Sequence, residues 1–117
     1  MIVRRFALKL VVSVLLACMA EVAPSLADGS VDVPVRLHNH RFLPAVINVP
    51  PDKEIRLIVT NADKTPEEFR SKSLRIERVI AGGKRAVIKI GPQKEGARHK
   101  FVGQYHPATA QFELVVK

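Results

Sequence analysis

The sequence predicts an all-β protein, a Greek-key β-sandwich of about seven strands, and two features of the chain support this prediction. Apolar and polar residues alternate along four segments, at residues 31–37, 55–59, 86–90 and 112–116. Such period-two alternation places one face of a strand in the core and the other in solvent. Turn-forming residues separate the segments at roughly 8–12-residue spacing, which is typical of sandwiches and barrels.

The individual elements follow from the same pattern. The four alternating segments form the main strands, and Leu57 and Ile88 are expected in the core. Shorter strands are predicted at residues 45–49, 74–80 and 99–102. Clusters of Pro, Gly, Asn and Asp predict turns at residues 50–52, 61–63, 82–83 and 91–92. No segment has the length and 3.6-residue period of a long helix, and residues 66–70 are compatible with one helical turn.

A secretory signal peptide is predicted over residues 1–27. A basic start at residues 4–9 precedes an apolar run at residues 10–20, and Ser25-Leu26-Ala27 supplies small residues for a signal peptidase. The apolar run is shorter than the ~20 residues that a membrane-spanning helix needs. We therefore predict cleavage after Ala27 and a single periplasmic domain of residues 28–117.

A lipoprotein is the alternative at this end of the chain. The segment Leu15-Leu16-Ala17-Cys18 resembles a lipobox, in which Cys18 would be lipidated and would become the first residue of the mature protein. Both alternatives predict export from the cytoplasm, and they differ in whether a lipid tethers the domain to the membrane.

Composition narrows the classes of function. The net charge is +8, which favours an acidic partner or a membrane face, so association with the membrane would be peripheral at most. Nucleic acid is a poor partner for an exported protein with few aromatic residues. The single cysteine and both methionines precede residue 20, so the mature domain has no disulfide and no sulfur ligand. No Ser-His-Asp constellation or phosphate loop is recognisable.

Five segments in a fixed order resemble a known family. They are HRFLP, INVPPDKEIRLIVTN, TPEEF, SLRIERVIAGG and GQYHPATAQFELVV. Together they resemble the cupredoxin-like domains of bacterial iron uptake systems, over about residues 35–116. The similarity is greatest to the small periplasmic cupredoxins that accompany ferrous-iron permeases, and EfeO-type domains are more distantly similar. The resemblance implies a Greek-key sandwich with a metal site at one end.

The resemblance also implies where the metal ligands lie. In blue-copper relatives the first histidine follows a proline, after a strand that ends in asparagine. Here Asn61 ends such a strand, Pro66 follows, and Glu67 or Glu68 stands at the histidine position.

The final loop of blue-copper relatives carries cysteine, histidine and methionine in that order. The histidine is kept here as His106, the cysteine position falls near Gly103, and the methionine position falls near Ala110 or Gln111. The blue-copper ligand set therefore cannot be assembled.

The expected metal ligands are carboxylates and imidazoles, which suit Cu(II), iron and manganese. Five residues are expected at the site: Glu67, Glu68, Glu77, His106 and His40. Glu67 and Glu68 are expected to be exposed after a turn. His40 shares parity with His38 on the first strand, and two histidines at i and i+2 can chelate Cu(II). The expected ion is copper, iron or both, in a site that is not blue.

The resemblance implies a periplasmic metal-binding protein that assists ferrous-iron oxidation or passes iron to a permease or another periplasmic uptake component. A ferroxidase-like activity is compatible with this role. A metal-free sandwich that serves as a binding module for a membrane or periplasmic partner is the alternative, and copper storage or resistance is a third interpretation.

Overall fold

The computed structural model describes residues 25–27 and 29–117, which form an all-β sandwich and confirm the predicted fold class. The described residues form ten strands: β1 Ser25–Ala27, β2 Ser30–His38, β3 Arg41–Leu43, β4 Val46–Val49, β5 Ile55–Asn61, β6 Glu67–Ser71, β7 Ile76–Ile80, β8 Arg85–Ile90, β9 Arg98–Gly103 and β10 Gln111–Val116. Within this part of the chain no helix is long and apolar enough to span a membrane.

The strands form two mixed sheets. The first sheet has the order β1-β2-β5-β8, with β3 also paired to β2, and the second has the order β4-β10-β9-β6-β7. The β2–β5 and β4–β10 pairs are parallel, and the other pairs are antiparallel. Because β2 and β5 run in the same direction, the turn after β2 and the loop after β5 lie at the same end of the sandwich.

The N-terminal predictions fall mainly outside the described residues. Residues 1–24, which include the basic start, the apolar run and Cys18, are not described. Ser25–Ala27 forms β1 and pairs with Ser30–Asp32 in β2. Cleavage after Ala27 stays a prediction.

Two local predictions are wrong. Residues 66–70 do not form a helical turn, because β6 begins at Glu67 and pairs with β7 on one side and β9 on the other. The strand predicted at residues 74–80 begins two residues later, at Ile76. Arg75 has a φ of 54°, the left-handed conformation of a turn residue, and so cannot continue a strand.

One core lies between the sheets and follows the alternation in the sequence. Leu57 and Ile88 are opposite each other in the β5–β8 register, and both are buried as predicted. In the second sheet Phe69 stacks on Phe101 with ring centroids 4.6 Å apart. Phe42 from the first sheet meets the edge of Phe69 at 5.3 Å and so joins the two sheets. This aromatic contact lies directly beneath the end of the sandwich that carries the candidate site.

Candidate metal centre

Three side chains from separate parts of the chain meet at one end of the sandwich. His40 lies in the turn between β2 and β3, Glu67 is the first residue of β6, and His106 lies in the loop between β9 and β10. One candidate ligand atom from each residue lies within 4.8 Å of the other two. The structure therefore brings together three of the five residues expected at a metal site.

The carboxylate of Glu67 is buried and has hydrogen-bond partners on both oxygens. Residues alternate between the faces of β6, so Glu67 shares the inward face with Phe69 and is only 2% exposed. Its Oε1 accepts hydrogen bonds from the backbone N–H groups of Tyr105 at 2.8 Å and Glu68 at 3.1 Å. Its Oε2 lies 2.6 Å from His106 Nδ1. The expectation that Glu67 is exposed is wrong.

The Glu67 side chain occupies space that a side chain at position 103 would need. Gly103 lies opposite Phe69 in the β6–β9 register, close to the start of β6. A Cβ atom on Gly103 would lie 2.6 Å from the Cβ of Ala110 and 2.7 Å from the Cδ of Glu67. Both distances are far below van der Waals contact, so the buried carboxylate and a side chain at 103 exclude each other.

The loop between β9 and β10 holds His106 over the Glu67 carboxylate. The backbone N–H of His106 donates to the carbonyl of Gly103 at 3.0 Å, and that of Ala110 donates to the carbonyl of His106 at 2.9 Å. The His106 side chain is about one third exposed. With Nδ1–H donating to the carboxylate, Nε2 keeps its lone pair and is available to an ion.

His40 lies face to face with His106. Their ring centroids are 3.5 Å apart and their planes differ by 13°. His40 follows Asn39 in a turn in which both residues have positive φ, 51° for Asn39 and 56° for His40. The His40 side chain is 41% exposed, so this ring forms the solvent side of the group.

Asp63 is a fourth polar residue at the site, and the sequence predicts it only as part of a turn at residues 61–63. Its Oδ2 lies 3.4 Å from His40 Nδ1, and the side chain is 11% exposed. Burial acts to raise the pKa of Asp63. The backbone N–H groups of His40 and Asn39 and the neighbouring histidine charges outweigh that effect and hold the pKa below its ordinary value of 3.8. Asp63 is therefore ionised at neutral pH.

Comparisons with known proteins identify the family. The model of the cupredoxin-like domain family matches residues 9–116. The chain belongs to the cupredoxin-like domain family. Protein RP394 of Rickettsia prowazekii is 35% identical to this cupredoxin over 89 residues, which cover 76% of this chain and 70% of the relative.

Solved structures share the cupredoxin fold at low sequence identity. The metal-binding domain of the Streptococcus pneumoniae Cu(I)-exporting P-type ATPase CopA has a TM-score of 0.71 and 20% identity, over 82% of this chain and 94% of that one. An apo copper-binding protein has a TM-score of 0.69 and 13% identity, over 81% and 95%. Auracyanin A, a "blue" copper protein of Chloroflexus aurantiacus, has a TM-score of 0.63 and 9% identity, over 76% and 100%. These similarities establish the fold.

The candidate site offers a carboxylate and two imidazoles, as the sequence predicts. Gly103 has no side chain, and Glu67 fills the adjacent space. No residue after position 20 is cysteine or methionine. The donor set of two imidazoles and one carboxylate suits Cu(II) or a non-haem iron centre and does not fit a blue-copper site.

Glu68 and Glu77 lie outside this group. Adjacent residues of a strand face opposite sides, so Glu68 projects from the outer face of β6, where it contacts Glu77 across the β6–β7 pair. The main reason why the pKa of Glu68 is raised is the hydrogen bond that its protonated carboxyl donates to Glu77, and loss of hydration and the charge of Glu77 add to it. Arg70 also lies on this face, 3.9 Å from Glu77. Both carboxylates belong to a solvated surface.

The remaining two histidines have other surroundings. His38 is half exposed, and its Nδ1 is 4.0 Å from an oxygen of Asp63. His99 uses both ring nitrogens, with Nδ1 2.8 Å from Ser73 Oγ and Nε2 2.8 Å from Gln93 Oε1. Burial lowers the pKa of His99. His99 is therefore a structural histidine of β9.

Proposed function

We propose that this cupredoxin binds copper or iron through His40, Glu67 and His106, in a site without sulfur ligands. The observation that carries the proposal is the meeting of three candidate ligand atoms within 4.8 Å, from residues far apart in the sequence. A carboxylate is almost never buried as deeply as Glu67 without a partner, and a cation beside it would complete its electrostatic environment.

Each of the three residues would have a different role in binding the ion. Glu67 supplies the negative charge inside the sandwich, His106 supplies an imidazole beside it, and His40 closes the site from solvent. The two imidazole planes are nearly parallel, so their lone pairs do not converge on one point. One ring must therefore turn for both to reach the same ion, and His40 is the more exposed of the two. A bound copper or iron ion would supply a one-electron redox centre.

Similar folds favour copper as the bound ion, and the ligand types are also compatible with iron. Several proteins of the same fold are described as copper proteins, which favours copper. Two histidines and one carboxylate are also the usual protein ligands of non-haem iron, and oxygen ligands favour Fe³⁺ over Fe²⁺. Together with the resemblance to iron uptake cupredoxins, this supports a periplasmic role in oxidising ferrous iron or passing it to a permease.

A metal-free binding module is the second candidate. Glu67 already accepts hydrogen bonds from two backbone groups and contacts His106, and the two imidazoles stack on each other. These contacts satisfy the buried carboxylate without an ion. The same group could then serve to fix the loops of a surface that contacts a membrane or periplasmic partner.

Cu(II) titration of the purified protein separates the two candidates. We expect binding with only a pale colour, because no thiolate is available for an intense charge-transfer band. Electron paramagnetic resonance should show the wide copper hyperfine splitting of nitrogen and oxygen ligands. The change His106→Ala should weaken binding at least ~10-fold, or about 1.4 kcal/mol.

The matched control is His38→Ala, which removes a histidine outside the three-residue group. Its copper affinity should stay close to that of the wild type. Equal affinities for the wild type and His106→Ala would show that His106 is not a ligand, and no binding by the wild type would favour the metal-free module.

Ferrous-iron uptake tests the cellular role. We expect a deletion strain to take up less radioactive ferrous iron, with a smaller effect on its copper tolerance. Complementation with Glu68→Gln should restore uptake, because Glu68 lies on the outer face of β6. Complementation with Glu67→Gln should fail, because the buried negative charge is lost. Equal uptake in all strains would reject the iron role, and copper sensitivity without an uptake defect would favour copper storage or resistance.

A further inference from the structure

We propose that Asp63 is the positioning residue that holds His40 in the metal site, an inference that rests on the proposed function. Asp63 lies in the segment after β5, more than 20 residues from His40 in the sequence. Its carboxylate reaches across the end of the first sheet and contacts both the backbone and the ring of the β2–β3 turn.

The first contact fixes the backbone of the turn. The N–H of Asn39 donates to Asp63 Oδ1 at 2.7 Å, and the N–H of His40 donates to Asp63 Oδ2 at 2.9 Å. Both turn residues are in the left-handed conformation, which is uncommon outside glycine although asparagine and histidine adopt it more often than most residues. In this conformation the two consecutive N–H groups point the same way, and one carboxylate satisfies both.

The second contact orients the ring. Asp63 Oδ2 lies 3.4 Å from His40 Nδ1, a charge contact longer than a hydrogen bond, and its negative charge favours the tautomer with the proton on Nδ1 and the lone pair on Nε2. Histidines that bind metals usually give their other N–H to a carboxylate or carbonyl in this way. His106 makes a closer contact of this kind, a hydrogen bond of 2.6 Å between its Nδ1 and the Glu67 carboxylate.

Asp63 is itself held in a fixed place. Its backbone N–H donates to the side-chain oxygen of Asn61 at 3.0 Å. Asn61 is fully buried, and its amide nitrogen donates to the carbonyl groups of Thr65 at 2.9 Å and Ile80 at 3.0 Å. The last residue of β5 therefore anchors the segment that carries Asp63 to the start of β6 and the end of β7. This chain of contacts links the positions of His40 and Glu67.

The test compares Asp63→Ala and Asp63→Asn in the full chain. Asp63→Ala removes both contacts, so Cu(II) affinity should fall by about 10–100-fold, the usual effect of losing an outer-shell partner. The paramagnetic resonance spectrum should change from two coordinated imidazole nitrogens to one. Asp63→Asn keeps one oxygen for the turn and should recover part of the affinity.

The control is Asp32→Ala, which removes a partly buried carboxylate that pairs with Arg56 at 3.2 Å, away from the three-residue group. It should keep two coordinated imidazoles. If Asp63→Ala also keeps two imidazoles and binds copper within twofold of the wild type, the positioning role is wrong.

Nuclear magnetic resonance of the metal-free protein tests the positioning independently of metal binding. The wild type should show His40 protonated at Nδ1 and cross-ring contacts between His40 and His106, and Asp63→Ala should lose both signals. If Asp63→Ala does not fold, the same spectra are recorded for Asp63→Asn. A reduced cross-ring contact between His40 and His106 is then the expected result. A wild type that binds no copper but shows the Asp63-dependent contact would reject the metal function and retain the positioning of His40. Unchanged signals in the variants would reject the positioning.

Discussion

Replacement of Glu67 by alanine is expected to destabilise the protein by about 2–5 kcal/mol, because two backbone donors lose their acceptor at a cost of about 1–3 kcal/mol each. Those donors are the N–H groups of Tyr105 and Glu68. The loss of the side chain also leaves a cavity beside Gly103, where Glu67 now packs. Chemical denaturation of the metal-free protein measures the change in the free energy of unfolding.

Glu67→Gln separates the structural role of this residue from its charge. Glutamine has nearly the same shape, and its carbonyl oxygen can still accept from both backbone donors. We expect a smaller loss of stability than for alanine, together with at least ~10-fold weaker Cu(II) binding, since the buried negative charge is gone.

The neighbouring change Glu68→Ala provides the control, because Glu68 lies on the outer face of the same strand. It should leave copper affinity nearly unchanged and should change stability by less than about 0.5 kcal/mol. A large destabilisation by Glu68→Ala, or none by Glu67→Ala, would contradict the assignment of Glu67 as the buried residue of the pair.

The second large effect is expected at Gly103. The change Gly103→Ala adds a Cβ at 2.6 Å from Ala110 Cβ and 2.7 Å from Glu67 Cδ, and both neighbours must move. Overpacking of this kind typically costs about 1–3 kcal/mol. Because the displaced carboxylate is a proposed ligand, Cu(II) affinity should fall as well. Gly91→Ala is the matched control, since a Cβ at Gly91 meets nothing within 4 Å.

Because a side chain at position 103 and the Glu67 side chain need the same space, the effects of Gly103→Ala and Glu67→Ala on stability should be strongly non-additive. In a Glu67→Ala background the space beside residue 103 is partly free, so Gly103→Ala should cost less there than in the wild type. Gly103→Cys in the same background should bring a thiolate to the site and give an intense visible band with Cu(II). The same cysteine with Glu67 present should give a weaker band or an unfolded protein. Equal costs of Gly103→Ala in both backgrounds would show that the two residues do not compete for space.

Part of the candidate site could be predicted from the sequence, because the resemblance indicates Glu67 or Glu68 together with His106, and the i, i+2 spacing of His38 and His40 indicates a histidine ligand. The sequence also indicates which of Glu67 and Glu68 is buried. Phe69 has the same parity as Glu67, and an aromatic residue on a strand points to the core, so Glu67 should have been assigned to the buried face. This parity signal holds only for a strand, and a helical turn at residues 66–70 would not place Glu67 and Phe69 on one face.

Two contacts could not be predicted from the sequence: that of Asp63 with His40 and that of Glu68 with Glu77. Asp63 meets His40 because β2 and β5 run parallel and end at the same edge of the first sheet. Glu68 and Glu77 meet because of the register of β6 and β7, which places Glu68 opposite Val79. Neither relationship leaves a periodic trace, since strand order and register depend on packing between distant segments.

The sequence by itself determined the all-β class, the core positions and the absence of a thiol after residue 20, because alternation and composition are properties of the chain alone. The tertiary structure decided which of these side chains meet at one site. Pairing of β6 between β7 and β9 turned Glu67 into the interior and Glu68 toward solvent, and Gly103 left room for the buried carboxylate. The end of β5 placed Asp63 against the turn that carries His40. Contacts between residues more than 20 positions apart form the site, and only the folded chain brings them together.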